Sequence, residues 1–188
     1  SMVVNAEVDG QYLTDDQLDR FFQLLVIAGN ETTRNMLNGA ILLLTENPDQ
    51  MQLLRDDPAL MPQAVEEILR MFPPIMQFRR TCVQDTEVGG QVIKAGDKVV
   101  LSYCAANRDP SVFPDPDKFD ITRTDNPHVS FGFGTHFCLG SGVARLEGRT
   151  LLAKLLERFG KIEVTGEPVM LRSNFMNGIT ELPVRLTV

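Results

Sequence analysis

Residues 131–140 read Phe131-Gly132-Phe133-Gly134-Thr135-His136-Phe137-Cys138-Leu139-Gly140, a glycine-punctuated loop that delivers a cysteine just before a helical pattern. Downstream, Val143, Leu146, Leu151, Leu152, Leu155, Leu156 and Phe159 keep helical spacing until Gly160 stops it. Amides freed by glycine-rich turns and by a helix N-terminus both stabilise a thiolate, the form of cysteine that binds metal. A zinc site would want about four Cys or His ligands at short spacing; here His128, His136 and Cys138 lie near one another. A dinucleotide fingerprint would need a third glycine where Phe137 stands. A nucleophilic cysteine needs a base beside it, and His128 and His136 keep that reading open.

The surrounding chain is globular in character. Its 188 residues fit one ordinary domain, and 43% hydrophobic with 23% charged residues excludes a disordered, collagen-like or coiled-coil chain. Ser1-Met2 reads as a cloning scar, which leaves 3–188 as the domain. The net charge of −7 argues against general affinity for nucleic acid or anionic lipid. The acid is concentrated early: residues 1–94 carry 7 basic and 14 acidic side chains, and residues 95–188 carry 11 of each. Cys82, Cys104 and Cys138 are too few and too odd in number for a disulfide framework, which suggests a reducing, cytoplasmic compartment. The longest apolar stretches, 21–28 and 40–44, fall far short of the ~20 residues of a membrane span.

Turn signals divide the chain into a helical first third, a strand-rich middle, a long loop, another helix and a short tail. Thr14-Asp15-Asp16-Gln17 matches a capping box, and the apolar pattern from Leu18 runs to Leu44 before Asn47-Pro48, predicting a helix of about 30 residues and 45 Å. Because it is apolar nearly all round, it should be buried inside something larger than this chain. A shorter helix is expected from Asn47 and another over 62–71, stopped by Pro73-Pro74. Extended segments follow at 77–82, 87–93 and 98–102, and residues 107–131 form an unusually long irregular stretch. Short strands with turns at Gly166 and Asn177-Gly178 close the chain.

Two further segments stand out. Ala28-Gly29-Asn30-Glu31-Thr32-Thr33 interrupts the long helix with residues that weaken it, Gly by about 1 kcal/mol against Ala. Leu25, Gly29, Thr32 and Met36 share a face, so a hydroxyl and the neighbouring Glu31 carboxylate stand beside a gap, an arrangement able to relay protons. The plainer reading is that Gly29 lets another element approach and Glu31 forms a salt bridge. Glu67 and Arg70 lie three apart on one helical face, which by itself is an ordinary ion pair.

Together these segments resemble the cytochrome P450 family of haem-thiolate monooxygenases. Its F-x-x-G-x-[HR]-x-C-x-G pattern is met by Phe131, Gly134, His136, Cys138 and Gly140. Its E-x-x-R is met by Glu67 and Arg70, and its [AG]-G-x-[DE]-T-T by Ala28, Gly29, Glu31, Thr32 and Thr33, all in the family's order. The resemblance runs from about Val4 to Leu186 and implies the C-terminal half of the P450 fold, mainly α with small β-sheets. A complete member is about twice this length, so either a longer native chain or a shortened product is expected.

The resemblance implies haem b, with Cys138 as axial thiolate and His136 and Arg80 binding its propionates, Arg79 being the alternative to Arg80. It implies that Glu31 and Thr32 manage protons while Gly29 leaves room for dioxygen. Glu67 and Arg70 would lock the core with a third member from the irregular stretch, for which Arg123 is the choice and Lys118 the competitor. Substrate would meet Leu25, Ala28, Gly29, Ile75, Met76, Phe175 and Met176, although apolar residues such as these serve equally well as core. Residues 4–10, 28–35 and 173–179 are similar to actinobacterial enzymes that oxidise sterol side chains or methyl-branched lipids.

The implied reaction inserts one oxygen atom from dioxygen into a hydrophobic substrate, with electrons from a ferredoxin and its reductase. Between Leu139 and Lys161, five cations (Arg145, Arg149, Lys154, Arg158, Lys161) face two acids (Glu147, Glu157), which marks either a solvated face or a dock for an acidic electron donor. The rival reading is a haem-binding or structural fragment without turnover. A thiol hydrolase built on Cys138 and His136 would leave the other two motifs unexplained.

Overall fold

Thr14 starts the dominant element of the computed structural model, which describes residues 3–188; the proposed scar at Ser1-Met2 lies outside them. The Thr14 side chain accepts from the Gln17 amide at 3.3 Å, and the Gln17 side chain accepts from the Thr14 amide at 2.9 Å. This box begins helix α1 (Asp15–Glu46), which is continuous for 32 residues. Every buried residue of α1 lies at Thr33 or beyond, whereas Leu24, Val26 and Ile27 are 62%, 68% and 71% exposed. Of the two apolar stretches, 40–44 is covered by this chain and 21–28 is left uncovered.

Pro48 opens α2 (Pro48–Asp56), and a 3-10 turn (Pro58–Leu60) leads into α3 (Met61–Met71). Proline suits these first turns because its missing N–H is one the helix could not satisfy there. Helix α5 (Ser141–Arg158) packs on α1 and α3 at Gly148, where an added Cβ would lie 3.0 Å from Met36 Cε and 3.4 Å from Val65 Cγ1. A Cβ on Gly39 of α1 would strike the Phe72 ring. Between these helices Met36, Leu44, Leu54, Val65, Ile68, Leu69 and Leu152 form the core, joined by Phe119 and Ile121 from the irregular stretch. Full burial of each such aliphatic side chain contributes about 1.5–3 kcal/mol.

Among the described residues the strands form five antiparallel pairs. β3 (Gln77–Thr81) pairs with β6 (Lys98–Ser102) in the register Gln77 to Ser102, enclosing the hairpin β4 (Thr86–Val88) and β5 (Gln91–Ile93). In the tail, β7 (Lys161–Val164) pairs with β10 (Val184–Thr187), and β8 (Val169–Met170) with β9 (Ile179–Glu181). Two elements differ from the sequence reading. Residues 7–12 belong to the hairpin β1 (Glu7–Val8) and β2 (Gln11–Tyr12) rather than to a helical first third, because Asp9 and Gly10 both turn through positive φ, 53° and 76°. A single turn, α4 (Tyr103–Ala106), capped by the Ser102 hydroxyl, follows β6 and opens the irregular stretch. Among the described residues no helix is long and apolar enough to cross a membrane.

Candidate functional site

Backbone chemistry shapes the cysteine loop. Gly132 (φ +75°) and Gly134 (φ +66°) occupy the left-handed region, and a Cβ on Gly132 would press within 3.3 Å of the His136 carbonyl and the Tyr103 hydroxyl. A 3-10 turn (Gly134–His136) follows, and the Cys138 amide donates to the Phe131 carbonyl at 2.8 Å, which closes the loop. Helix α5 begins three residues later with Gly140 as its N-cap, so no side chain satisfies its first amides. All three cysteines are free, and the Cys138 thiol is half-buried at this positive helix end. Both nitrogens of His128 are engaged: Nδ1 accepts from the Ser130 amide at 3.2 Å and Nε2 contacts Glu66 Oε2 at 3.1 Å. His128 is therefore held away from service as a base for Cys138.

Beneath the loop lies the most buried charge in the chain. Glu67 and Arg70 have no exposed side-chain surface and face each other in a fork, Nε to Oε2 and Nη2 to Oε1, each 2.8 Å. Arg70 also donates to the carbonyls of Asn107 (2.9 Å), Pro116 (2.7 Å) and Lys118 (3.0 Å). Glu67 in turn accepts from the Asp120 amide and the Asn126 side chain, both at 3.0 Å. Arg123 Nε stands 3.3 Å from Glu67 Oε2, while its Nη1 donates to the Pro114 carbonyl at 3.0 Å. Lys118 enters the network through its backbone, its ammonium turning outward to Asp120 at 3.2 Å. One pair of side chains thus ties down the backbone of a long irregular stretch that has no ladder of its own.

Sequence reasoning did not single out Asn107, which is fully buried and joins this network to the cysteine loop. Its side chain donates to the Arg70 carbonyl (3.2 Å) and Ser130 Oγ (2.8 Å) and accepts from the Val129 amide (2.8 Å). Also unforeseen is Glu66, which accepts from Arg145 Nε (2.7 Å) and Nη2 (2.8 Å). No local pattern marks either residue, because their partners are 22 to 79 residues away.

The other singled-out residues fall into two groups. On α1, Thr32 Oγ1 donates to the Ala28 carbonyl at 2.6 Å and Glu31 pairs with Arg34 at 3.0 Å, both on the exposed half of the helix with Leu25 and Ala28. A Cβ on Gly29 would meet nothing within 4 Å. Elsewhere Ile75 bridges Met176, the Met76 amide donates to the Phe175 carbonyl at 2.8 Å, and the Phe175 and Phe78 rings meet edge to face at 5.5 Å. The segment after Pro73-Pro74 and the tail hairpin are thereby joined. Arg80, on β3, lies over the Phe78 ring and donates to the Arg79 carbonyl at 3.2 Å.

Haem is what membership of the P450 family would imply, and the donor set can be tested against it. Among the described residues no group of three or more His, Cys, Asp or Glu is placed to hold a bare metal ion. A single free thiol at a helix N-terminus suits a metal that brings its own macrocycle. Around it Phe133, Phe137, Leu139, Val143 and Leu146 are exposed, as are Leu24, Val26 and Ile27 of α1. Such apolar surfaces, with the His136 ring N–H and the Arg80 guanidinium as donors, fit an apolar ring bearing two carboxylates.

Comparison with known proteins agrees with this chemistry. The cytochrome P450 family model matches residues 1–187. Cytochrome P450-terp of a Pseudomonas species is 42% identical over 187 residues, covering 100% of this chain and 44% of the relative. A methyl-branched lipid omega-hydroxylase of Mycobacterium tuberculosis is 47% identical over 186 residues, covering 98% of this chain and 44% of the relative. The crystal structure of CYP109E1 from Bacillus megaterium with testosterone superposes with a TM-score of 0.95 at 37% identity, over 99% of this chain and 52% of that one. The chain spans about half the length of the relatives it matches. It belongs to the cytochrome P450 family.

Proposed function

We propose that this chain is the C-terminal, haem-binding half of a haem-thiolate monooxygenase domain, residues 3–188, in which the Cys138 thiolate would hold haem b. The observation that carries the reading is the cysteine loop itself, a free thiol presented by two left-handed glycines at an uncapped helix N-terminus. Haem, when bound, supplies the activation of dioxygen that allows one oxygen atom to enter a C–H bond, with two electrons from a partner. The protein's own residues bind and position. His136 and Arg80 hold the propionates, Phe131, Gly134 and Gly140 shape the loop, and the Glu67–Arg70–Arg123 network fixes the stretch beneath it. The Thr32 hydroxyl, now donating to Ala28, and the Glu31 carboxylate hold and pass protons.

The substrate on this reading is a hydrophobic molecule, a sterol side chain or a branched lipid, touching Leu25, Ala28, Gly29, Ile75, Met76, Phe175 and Met176. Relatives named a methyl-branched lipid omega-hydroxylase, a linalool 8-monooxygenase and a steroid C26-monooxygenase support that class. Electrons come from a ferredoxin and its reductase in the cytoplasm. A second reading, a haem-binding chain without turnover, is favoured by the uncovered apolar half of α1.

The test is the carbon-monoxide difference spectrum of the reduced, haem-reconstituted protein beside Cys138→Ser. A thiolate-type Soret band present in the first and lost in the second supports ligation by Cys138. Haem that binds equally in both, or in neither, overturns it. Turnover of a branched lipid or sterol with a ferredoxin system then separates the monooxygenase from the fragment.

A further inference from the structure

Arg145 lies seven residues after Cys138, on the first turns of α5, and its guanidinium sits 4.4 Å above the centre of the Phe131 ring. Phe131 is the residue whose carbonyl accepts the Cys138 amide. The guanidinium is gripped from below by both oxygens of Glu66 on α3, at 2.7 and 2.8 Å. Glu66 is held in turn by His128, whose side chain is 2% exposed. Because His128 Nδ1 accepts from the Ser130 amide, the ring proton belongs on Nε2, which donates to Glu66 Oε2. Arg149 adds a more distant contact, Nη2 to Glu66 Oε1 at 4.0 Å. Placement of the whole group is rigid, since Gly148, one turn along α5, lets that helix approach α1 and α3 so closely.

Burial works against a charge on Glu66, but the hydrogen bonds from His128 and Arg145, with the Arg145 charge, outweigh it and hold the carboxyl at about 2. Arg145 is raised above its ordinary value, chiefly by Glu66 and in smaller part by the charge of the Cys138 sulfur. Its stacking on Phe131, whose carbonyl accepts the Cys138 amide at 2.8 Å, places the guanidinium beside the loop that carries that sulfur.

We propose that Glu66, His128 and Arg145 form a positioning clamp for the Cys138 loop, in which Arg145 sets Phe131 and supplies a positive charge near the sulfur that Glu66 partly cancels. The inference rests on the reading that Cys138 binds haem. These are positioning residues, acting through Phe131 and through charge rather than on a reacting atom. Removing the Glu66 charge leaves Arg145 uncompensated and stabilises the electron-rich reduced state. Removing the Arg145 charge leaves Glu66 uncompensated and does the reverse.

The experiment is the haem reduction potential of the reconstituted protein and of Glu66→Gln, Arg145→Gln and Arg145→Lys, each showing its carbon-monoxide Soret band. The expected order is a rise for Glu66→Gln, a fall for Arg145→Gln and a value near the unaltered one for Arg145→Lys, which keeps the charge. Should Glu66→Gln not fold, the contrast between Arg145→Gln and Arg145→Lys carries the test. Shifts of the same sign in Glu66→Gln and Arg145→Gln, or equal shifts in the two Arg145 variants, overturn the proposal while leaving haem binding intact. Absence of a thiolate band in the unaltered protein overturns both readings.

Discussion

Replacing Glu67 by Gln removes one charge and almost no volume, and the structure says what that costs. Glu67 accepts four hydrogen bonds, two from Arg70 and one each from Asp120 N and Asn126 Nδ2, and lies 3.3 Å from Arg123 Nε. Oε1 and Oε2 each accept two of them, so whichever oxygen becomes an amide confronts two donors with a third. Arg70, with no exposed surface, loses the one carboxylate that accepts its hydrogen bonds among the described residues. Removing one member of a buried pair costs about 3–5 kcal/mol, a large part of a domain's usual 5–15 kcal/mol. With a urea slope of about 2 kcal/mol/M, the midpoint should fall by roughly 2 M. Glu31→Gln is the control, because the Glu31–Arg34 pair is 51% and 58% exposed and such pairs contribute about 0.2–1 kcal/mol. Exchanging both Glu67 and Arg70 for Met should not restore stability. The carbonyls of Asn107, Pro116 and Lys118 would lose their donor, at about 1–3 kcal/mol for each acceptor left buried. If Glu67→Gln moves the urea midpoint no further than Glu31→Gln does, the account of this network is wrong.

Acid should attack the α3–α5 joint. The Glu66 carboxyl titrates at about 2 rather than its ordinary 4.5, so its contribution, roughly 3 kcal/mol at most, is complete above pH about 4.5 and is lost as pH falls through about 2. Urea midpoints at pH 5 and pH 3 should therefore diverge more in the unaltered protein than in Glu66→Gln; parallel losses would refute the assignment. The glycines of α1 and α5 should respond to alanine according to their surroundings, with thermal unfolding of the haem-free protein as the measure. Gly39→Ala drives a methyl into the Phe72 ring and should cost about 1–3 kcal/mol. Gly148→Ala meets the terminal methyl of the flexible Met36 side chain at 3.0 Å and Val65 at 3.4 Å and should cost less. Gly29→Ala meets nothing and should stabilise by up to about 1 kcal/mol; equal effects at the three sites would contradict the packing described.

Where a local rule sets the backbone, the sequence could be read directly. The Thr14–Gln17 box, the stop at Pro73-Pro74 and the strand at 98–102 each depend on neighbours within a few residues, and each stands where expected. The hairpin at 7–12 was overlooked because strands of two residues show no period, although Asp9-Gly10 carried its turn chemistry. The four-residue helix after Ser102 escapes a reading by period for the same reason. Within the site, motifs mark the side chains that face a ligand or one another at short spacing. They do not mark Asn107 or Glu66, whose roles arise from what the fold brings to them across long stretches of chain. The choice between Lys118 and Arg123 shows the limit well. Both residues enter the network, one through a carbonyl and the other through a guanidinium, and spacing alone carries no information about which end is used.

The same limit applies to charge counted along a helix. Five cations against two acids between Leu139 and Lys161 read in sequence either as a solvated face or as a dock for an acidic electron donor. In space that window is not the relevant boundary. Arg145 is turned inward onto Glu66 and Phe131, and Lys161 is paired with Glu163 at 2.7 Å. Counting Glu66 and Glu163 leaves five cations against four acids. Lys154 is further matched by Glu157 at 2.7 Å. Beyond a Debye length of about 8–10 Å, a close ion pair presents a dipole rather than a charge. What remains for steering is Arg149, itself 4.0 Å from Glu66, and Arg158, stacked over Phe159. Long-range attraction from this helix is therefore weak. Of the five cations, Arg145 is the one placed against the loop that carries Cys138, through Phe131, and it acts there at short range.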